Sequence, residues 1–342
     1  MPRPGNDRKM TKVAVTGAAG HIGNVLIRKL LERSEQVRAL IMCGEDTSSL
    51  DGMDIEMVEG DVLDPHSLAR AFLGVDTVYH LAGIISIMPG VNPMVWKVNV
   101  EGTRNVLAEA RRANVRRLVY TSSIHALPHA PKGVEMDETL GFDQHSPLGE
   151  YDRSKAAASL EVQKAAESGL EAVIVCPTGV IGPYDYRGSE VGEVIRGAAE
   201  AKTMFYVEGA YDFVDVRDVV DGMIAAAERG RRGESYILGG SKISVRYMLE
   251  TVREITGKAF SQIKIPFSLA EFAARFTPWY YLHSKSKPRF TPYSLEVLQS
   301  NSDISHSKAT IELGYQPRPM IETIKDTVRW FFEHRKLAAT KR

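Results

Sequence analysis

The chain has 342 residues, enough to bury a large core as one domain or as two closely joined ones. Its 43 basic and 43 acidic side chains cancel, so nothing electrostatic argues for a nucleic acid or a membrane surface as partner. Two cysteines, Cys43 and Cys176, fit a reducing compartment, and no His, Cys or Asp spacing suggests a metal site.

The polar stretch Met1 to Lys12 lacks the apolar centre of a secretory signal, and no apolar run nears the roughly 18 residues of a spanning helix. A soluble cytoplasmic protein is expected. The first apolar run, Val13-Ala14-Val15, closes on Thr16-Gly17-Ala18-Ala19-Gly20-His21-Ile22-Gly23. Leu26, Ile27, Leu30 and Leu31 then recur at helical spacing. Glycines at three-residue intervals between a strand and a helix have a mechanical purpose. Gly17 permits a tight turn, Gly20 lets backbone approach a pyrophosphate, and Gly23 lets helix pack closely on strand. The anion would rest on the free N–H groups and positive end of the helix dipole, so His21 matters there for its backbone more than its ring. An ordinary strand–helix turn is the competing reading, and the strand–turn–helix setting favours the first.

Further apolar runs at Val37–Met42, Ile55–Val58, Val75–Leu81, Leu118–Tyr120 and Ala172–Val175 read as strands. Helical patterns at Ile22–Arg33, Ser67–Phe72, Asn92–Ala113 and Tyr151–Ser168 separate them. Such alternation predicts an α/β fold, a doubly wound parallel sheet of Rossmann type with right-handed crossovers. Ligands in these sheets bind beyond the carboxyl ends of the strands. Three of those ends carry polar or glycine clusters: Gly17–Gly23, Leu81–Gly83 and Thr121–Ser123. The cluster Arg111, Arg112, Arg116, Arg117 reads as a solvated helix end, and Arg38 as a strand residue on an exposed face. After Pro177 the alternation weakens into a loop-rich region. Residues 10–178 and 211–240 are expected to form the dinucleotide-binding part. Residues 179–210 and 241–335 are expected to form a smaller, discontinuous substrate-binding domain.

Tyr151-Asp152-Arg153-Ser154-Lys155 heads a helical pattern, and a spacing of four puts phenol and ammonium on one face, about 6 Å apart at Cβ. A fixed cation nearby favours the phenolate and draws a tyrosine from about pH 10 toward the working range. Tyr151 could then exchange a proton with a substrate oxygen. Thr121-Ser122-Ser123 ends the preceding strand. A hydroxyl there could hydrogen-bond the same oxygen, or simply cap the strand end. Asn99 lies inside a helical pattern that it suits poorly, so its place needs a reason beyond local structure.

Together these pieces resemble the extended short-chain dehydrogenase/reductases, the NAD-dependent epimerase/dehydratase family, on the dihydroflavonol-reductase-like side. The matching elements run in family order: Thr16–Gly23, Gly60-Asp61-Val62, His80-Leu81-Ala82-Gly83, Asn99 with Gly102-Thr103, and Tyr120–Ser123. Tyr151 with Lys155, Pro177–Pro183 and Phe213-Val214-Asp215-Val216 follow. The resemblance covers residues 10 to 335. It implies a catalytic set of Ser123, Tyr151, Lys155 and Asn99, in which Ser123 polarises the substrate oxygen, Tyr151 transfers the proton and Asn99 supports a water relay. Lys155 would hold the ribose and tune Tyr151. Cofactor contacts would come from Gly17, Gly20, His21, Ile22, Gly23, Leu81, Ala82, Gly83 and Pro177, with Asp61 and Val62 at the adenine. The resemblance also implies a homodimer through the helices around Asn92–Ala113 and Tyr151–Ser168, with the alanine face Ala156-Ala157-Ala158 allowing close approach.

The cofactor is expected to be NAD or NADP. After the second strand, Met42-Cys43-Gly44 supplies neither the acid that binds a ribose 2′-OH nor the arginine that suits a 2′-phosphate, although Glu45 or Asp46 could reach a ribose. Sugar-nucleotide enzymes of this family place arginines before the Phe-Val-Asp-Val-like stretch and before the Asp-x-Ser-Lys-Ala-like stretch. Here those places read Glu208-Gly209-Ala210-Tyr211-Asp212 and Leu298-Gln299-Ser300-Asn301-Ser302. A diphosphate wants bidentate arginines. An NAD(P)-dependent oxidoreductase for a small or lipophilic carbonyl/alcohol pair is therefore expected. The alternatives are a nucleotide-sugar epimerase or dehydratase, and a catalytically silent NAD(P)-binding regulatory protein. The aromatic stretch Ile265–Leu282 could be an apolar substrate lid, a core helix or a dimer contact. Met204, Phe205 and Tyr206 could face the pocket or form a buried strand. His125 and His129 could touch substrate or be merely solvated.

Overall fold

The computed structural model describes residues 11–86, 92–131, 133–257, 261–276 and 292–340, with side chains to His334. Twelve strands occur among them. They are β1 (Lys12–Thr16), β2 (Gln36–Ile41), β3 (Glu56–Glu59), β4 (Thr77–His80), β5 (Arg117–Thr121) and β6 (Ala172–Pro177), then β7 (Gly179–Ile181), β8 (Thr203–Val207), β9 (Ala210–Asp215), β10 (Ser235–Leu238), β11 (Ser241–Ser244) and β12 (Ser261–Ile265). Seven of them form the main sheet in the order β10-β6-β5-β4-β1-β2-β3, and every neighbouring pair is parallel. The fold is a Rossmann-type α/β sheet. Strand order reverses between β1 and β4, which opens a crevice there. Thr16 lies opposite His80 across that seam, so the turn after β1 and the loop after β4 leave the sheet side by side.

The helices are α1 (His21–Glu32), α2 (Pro65–Phe72), α3 (Pro93–Trp96), α4 (Thr103–Arg112), α5 (Glu150–Glu167), α6 (Glu190–Glu200), α7 (Val216–Arg229), α8 (Val245–Thr256), α9 (Phe267–Ala274), α10 (Pro292–Gln299), α11 (Ser307–Leu313) and α12 (Met320–Thr340). Near-continuous apolar strands bury both sheet faces, as a sheet covered on two sides requires. Ala14, Leu118, Tyr120 and Ile174 point to one face with Leu68, Val106 and Ala158. Val13, Val15, Val119 and Val173 point to the other with Leu26 and Val219. Thus α2, α4 and α5 cover one side, and α1 and α7 the other.

Several expectations change on contact with this packing. Ala309, Leu313 and Tyr315 join the core under α1 and α7, so residues 307–315 serve the main sheet rather than a separate substrate part. Strand β9 leaves the main sheet and pairs with β7 and β11. Arg38 is buried rather than exposed, because its guanidinium meets the carbonyls at the end of α2, Ala71 O at 2.8 Å and Leu73 O at 3.0 Å. Arg117 is likewise buried, donating to Ala226 O and Gly230 O at the end of α7. Both cations satisfy carbonyls that a helix terminus leaves open. Ala156 and Ala158 pack on the sheet, and Glu161 on the same helix pairs with Arg104 at 2.9 Å. Met204, Phe205 and Tyr206 form part of β8, with Tyr206 buried and Phe205 exposed. Of the stretch Ile265–Leu282, α9 exposes Leu269 and Phe272, while residues 277–282 lie outside the described residues. No described helix is long and apolar enough to cross a membrane.

Candidate active site

The turn between β1 and α1 is built for close approach. Gly17 has φ +70°, and a Cβ there would stand 2.7 Å from Ala82 N and 2.8 Å from Leu81 C. A Cβ on Gly23 would stand 2.2 Å from Gly17 O, so the third glycine packs on the turn itself. A Cβ on Gly20 would meet only Gly17 O, at 3.2 Å. No side chain caps α1 and no acid occupies its first turn, so the amides around His21 and Ile22 lack a side-chain acceptor. That is the donor set a pyrophosphate needs, and the residues fit a dinucleotide.

The ring of His21 has a part that its sequence position does not suggest. Its Nε2 donates to Pro183 O at 2.9 Å, tying the turn to the loop after β7. Burial pushes His21 below its ordinary pKa, with Asp185 opposing. Asn24, missed in the sequence, reinforces this seam by donating to Gly20 O at 2.8 Å and Tyr184 O at 3.2 Å. Its only signal is a polar side chain on the buried stripe of an amphipathic helix, where it is fully buried.

A buried chain of hydrogen bonds crosses the crevice beneath that turn. Ala82 N donates to Thr16 Oγ1 at 3.1 Å, so Thr16 turns its own proton to His80 Nδ1, 2.8 Å away. His80 Nε2 then donates to Thr103 Oγ1 at 3.0 Å, and Thr103 donates to Asn99 O at 2.6 Å. These directions assign the Nε2–H tautomer. Burial pushes His80 down to about 3, so the ring is neutral.

Asn99 sits in a π-helical turn, Lys97–Gly102, between α3 and α4, which supplies the reason for an asparagine inside a helical pattern. Its Oδ1 accepts from Ile84 N at 2.8 Å. Its Nδ2 donates to Ile84 O at 3.0 Å and to Ser154 Oγ at 2.9 Å. Ser154 in turn donates to Tyr151 O at 2.8 Å. Asn99 therefore clamps the loop after β4 to the first turn of α5.

Ser123, Tyr151 and Lys155 converge where β5 ends and α5 begins. All three are buried. Ser123 accepts from His125 N at 3.2 Å and so caps a short turn, and its hydroxyl favours the Tyr151 phenolate. Lys155 Nζ donates to Thr121 O at 2.8 Å and lies 5.1 Å from the Tyr120 ring centre. A Cβ on Gly83 would stand 3.1 Å from Asn99 Oδ1 and 3.3 Å from Lys155 Nζ, so the loop after β4 passes directly over the lysine. Burial lowers Lys155 to about 8. Burial raises Tyr151 to about 12, with Ser123 pulling the other way.

The remaining expected residues lie at or after the carboxyl ends of strands of the main sheet. Asp61 follows β3, where its Oδ1 accepts from Leu63 N at 2.9 Å. Val62 is buried beneath Gly102. Pro177 ends β6. Beyond β2, Glu45 is paired with Arg187 at 2.6 Å and accepts from Met42 N at 3.0 Å. His125 is half-buried, ringed by Tyr151, Tyr211 and Tyr293, and desolvation lowers it to about 4.

Comparison with known proteins agrees with this construction. The NAD dependent epimerase/dehydratase family model matches residues 13–239. Sterol demethylase protein B of Methylococcus capsulatus is 37% identical over 93% of this chain and 98% of its own. A Synechocystis sp. protein provisionally designated dihydroflavonol 4-reductase is 32% identical over 94% of each. Among solved structures, gox2253 superposes with a TM-score of 0.82 at 34% identity, covering 94% of this chain and 98% of that one. The chain belongs to the NAD-dependent epimerase/dehydratase family, as an NAD(P)-dependent oxidoreductase of the extended short-chain dehydrogenase/reductase type.

Proposed function

We propose that the protein interconverts a carbonyl and an alcohol on a lipophilic, uncharged substrate, using Ser123, Tyr151 and Lys155. The observation that carries this reading is that Ser123, Tyr151 and Lys155 are all buried where β5 ends and α5 begins, with the Lys155 amine under the Gly83 loop. When bound, NAD or NADP supplies the hydride chemistry. The chain's own part is to orient the substrate oxygen and manage its proton. A phenol at about 12 is protonated at neutral pH, ready to deliver a proton to an oxygen gaining negative charge. Ser123, whose oxygen already accepts from His125 N, keeps its own hydrogen for Tyr151 or for that oxygen. Lys155 holds positive charge close by, and its burial excludes water that would screen it. Asn99, through Ser154, fixes the helix turn that carries Tyr151.

Two features support an uncharged substrate over a sugar nucleotide. The arginines near β9 are engaged: Arg217 pairs with Asp215 at 2.7 Å and Asp326 at 2.8 Å, and Arg318 pairs with Asp218 at 2.7 Å. The names of two relatives refer to a sterol and a dihydroflavonol, both uncharged fused-ring compounds.

The test follows near-ultraviolet absorbance of NADH and NADPH separately against steroid ketones, other ketones, aldehydes and sugar nucleotides. Stoichiometric oxidation with an uncharged ketone is expected. A flat trace beside epimerisation of a sugar nucleotide would overturn the reading. Tyr151→Phe should lower turnover by about 10²–10⁴-fold with cofactor affinity nearly intact. Lys155→Ala should damage both.

A further inference from the structure

A second hydrogen-bonded array meets the Ser123–Tyr151 pair, and the chemistry above leaves it unused. His125 stands two residues after Ser123 and gives it a backbone N–H at 3.2 Å. The His125 ring lies between two phenols, with Nε2 3.1 Å from Tyr211 Oη on β9 and Nδ1 3.1 Å from Tyr293 Oη on α10. Tyr293 donates onward to Asp152 Oδ1 at 2.8 Å. Asp152 is fully buried and directly follows Tyr151 in the first turn of α5. Its Oδ2 has no hydrogen-bond partner among the described residues. The array thus meets the proposed acid–base pair at two points: the backbone of His125 donates to Ser123, Asp152 adjoins Tyr151 in the chain, and the His125 ring lies edge-on to Tyr151 at 6.2 Å.

The directions of these bonds follow from the acceptor at the end. Tyr293 has one proton and gives it to the Asp152 carboxylate, so its oxygen accepts from His125 Nδ1–H. The bare Nε2 then accepts from Tyr211. An ionised Asp152 therefore selects one tautomer of His125, and a protonated Asp152 permits the whole chain to run the other way.

We infer that Asp152 is a positioning residue: through Tyr293 and His125 it fixes the backbone donor that orients Ser123, and its carboxylate adds a buried negative charge next to Tyr151 in the first turn of α5. This rests on the reading of Tyr151 as the proton carrier. The groups facing Asp152 are Arg153 on its own helix, Tyr293 and Glu296 on α10, Tyr211 on β9, and Tyr151. Burial pushes its carboxyl up to about 6, with Tyr293 and Arg153 opposing and Glu296 assisting, so it is ionised at neutral pH. A negative neighbour disfavours phenolate and thereby raises Tyr151.

Two measurements test the inference on the intact protein. The first is the nitrogen NMR spectrum of the His125 ring, assigned with His125→Asn and recorded without substrate. The Nδ1–H tautomer is expected in the wild type, with a mixture in Tyr293→Phe. The Nε2–H tautomer in the wild type, or no change in Tyr293→Phe, overturns the array. The second is the pH dependence of alcohol oxidation, which rises as Tyr151 loses its proton. Asp152→Asn should move that limb to lower pH by about one unit, because it removes the opposing charge. A folded Asp152→Asn protein with normal cofactor affinity and an unmoved limb overturns the tuning of Tyr151. If the wild type oxidises no alcohol, the proposed reaction fails, and the His125 tautomer still decides the array.

Discussion

His80 is the residue at which burial most clearly decides chemistry. It lies between Thr16 and Thr103 with no exposed surface, and desolvation holds it near 3 against an ordinary 6.5. A base whose folded pKa lies below its unfolded one takes up its proton more readily after unfolding. Stability tied to it is therefore complete above about 6.5 and is lost as pH falls toward 3. At pH 5 the wild type should have lost about 2 kcal/mol relative to pH 7.5 that His80→Gln does not lose. Urea unfolding of both proteins at the two pH values checks this, and equal losses would remove His80 as the cause. Residues of this kind mark where sequence reading stops. The Tyr151–Lys155 spacing is legible as one helix face. Yet the pKa of Tyr151 follows from burial under neighbouring segments, which spacing does not encode. Arg38 and Arg117 misled for the same reason, since a charge reads as exposed until a helix terminus arrives to share it.

At the scale of elements, the strands and helices up to β6 were legible because each carries its own period, and their boundaries moved by only a residue or two. What escaped was how they seat on one another. The π turn that holds Asn99 interrupts a helical pattern without changing its apolar stripe, so only the unsuitable asparagine betrayed it. Strand β10, four residues long, has no alternation to detect and joins the sheet through its pairing with β6. The glycine turn is the opposite case, for its demands are local. Gly23→Ala would place a methyl 2.2 Å from Gly17 O, a backbone atom that can yield only if the turn opens or α1 slides away. Either movement displaces the amides offered to the pyrophosphate. NADH affinity should fall roughly tenfold or more, about 1.4 kcal/mol or above, as read by fluorescence titration. Gly20→Ala, whose methyl would meet only Gly17 O at 3.2 Å, should perturb the turn's packing less. Equal affinity of Gly23→Ala and wild type would mean that helix packing does not shape the site.

The whole molecule is more tightly knitted than a nucleotide-binding part with a draped substrate part. After leaving for α8, α9 and α10, the chain returns to the main sheet at α11. There Ala309, Leu313 and Tyr315 fill the core beneath α7, and Tyr315 donates to Gly239 O at 2.9 Å. Lys308 pairs with Glu234 at 2.7 Å and Arg231 with Glu312 at 2.6 Å, while Arg229 donates to Leu313 O. Arg217 on α7 reaches Asp326 on α12, which itself packs on α6 and α8. Elements late in the sequence thus support β10 and α7, and through them the face of the sheet on which α1 rests. Local pattern could not announce this, because a seven-residue helix looks the same whatever it packs against. If the knitting is real, calorimetry of the intact chain should give one cooperative transition. A chain ending at residue 305 should lose NADH binding even though every residue at the cofactor crevice remains. Two separated transitions, or full NADH affinity in the shortened chain, would return the molecule to two independent parts and leave α11 as ornament on a sheet that stands without it.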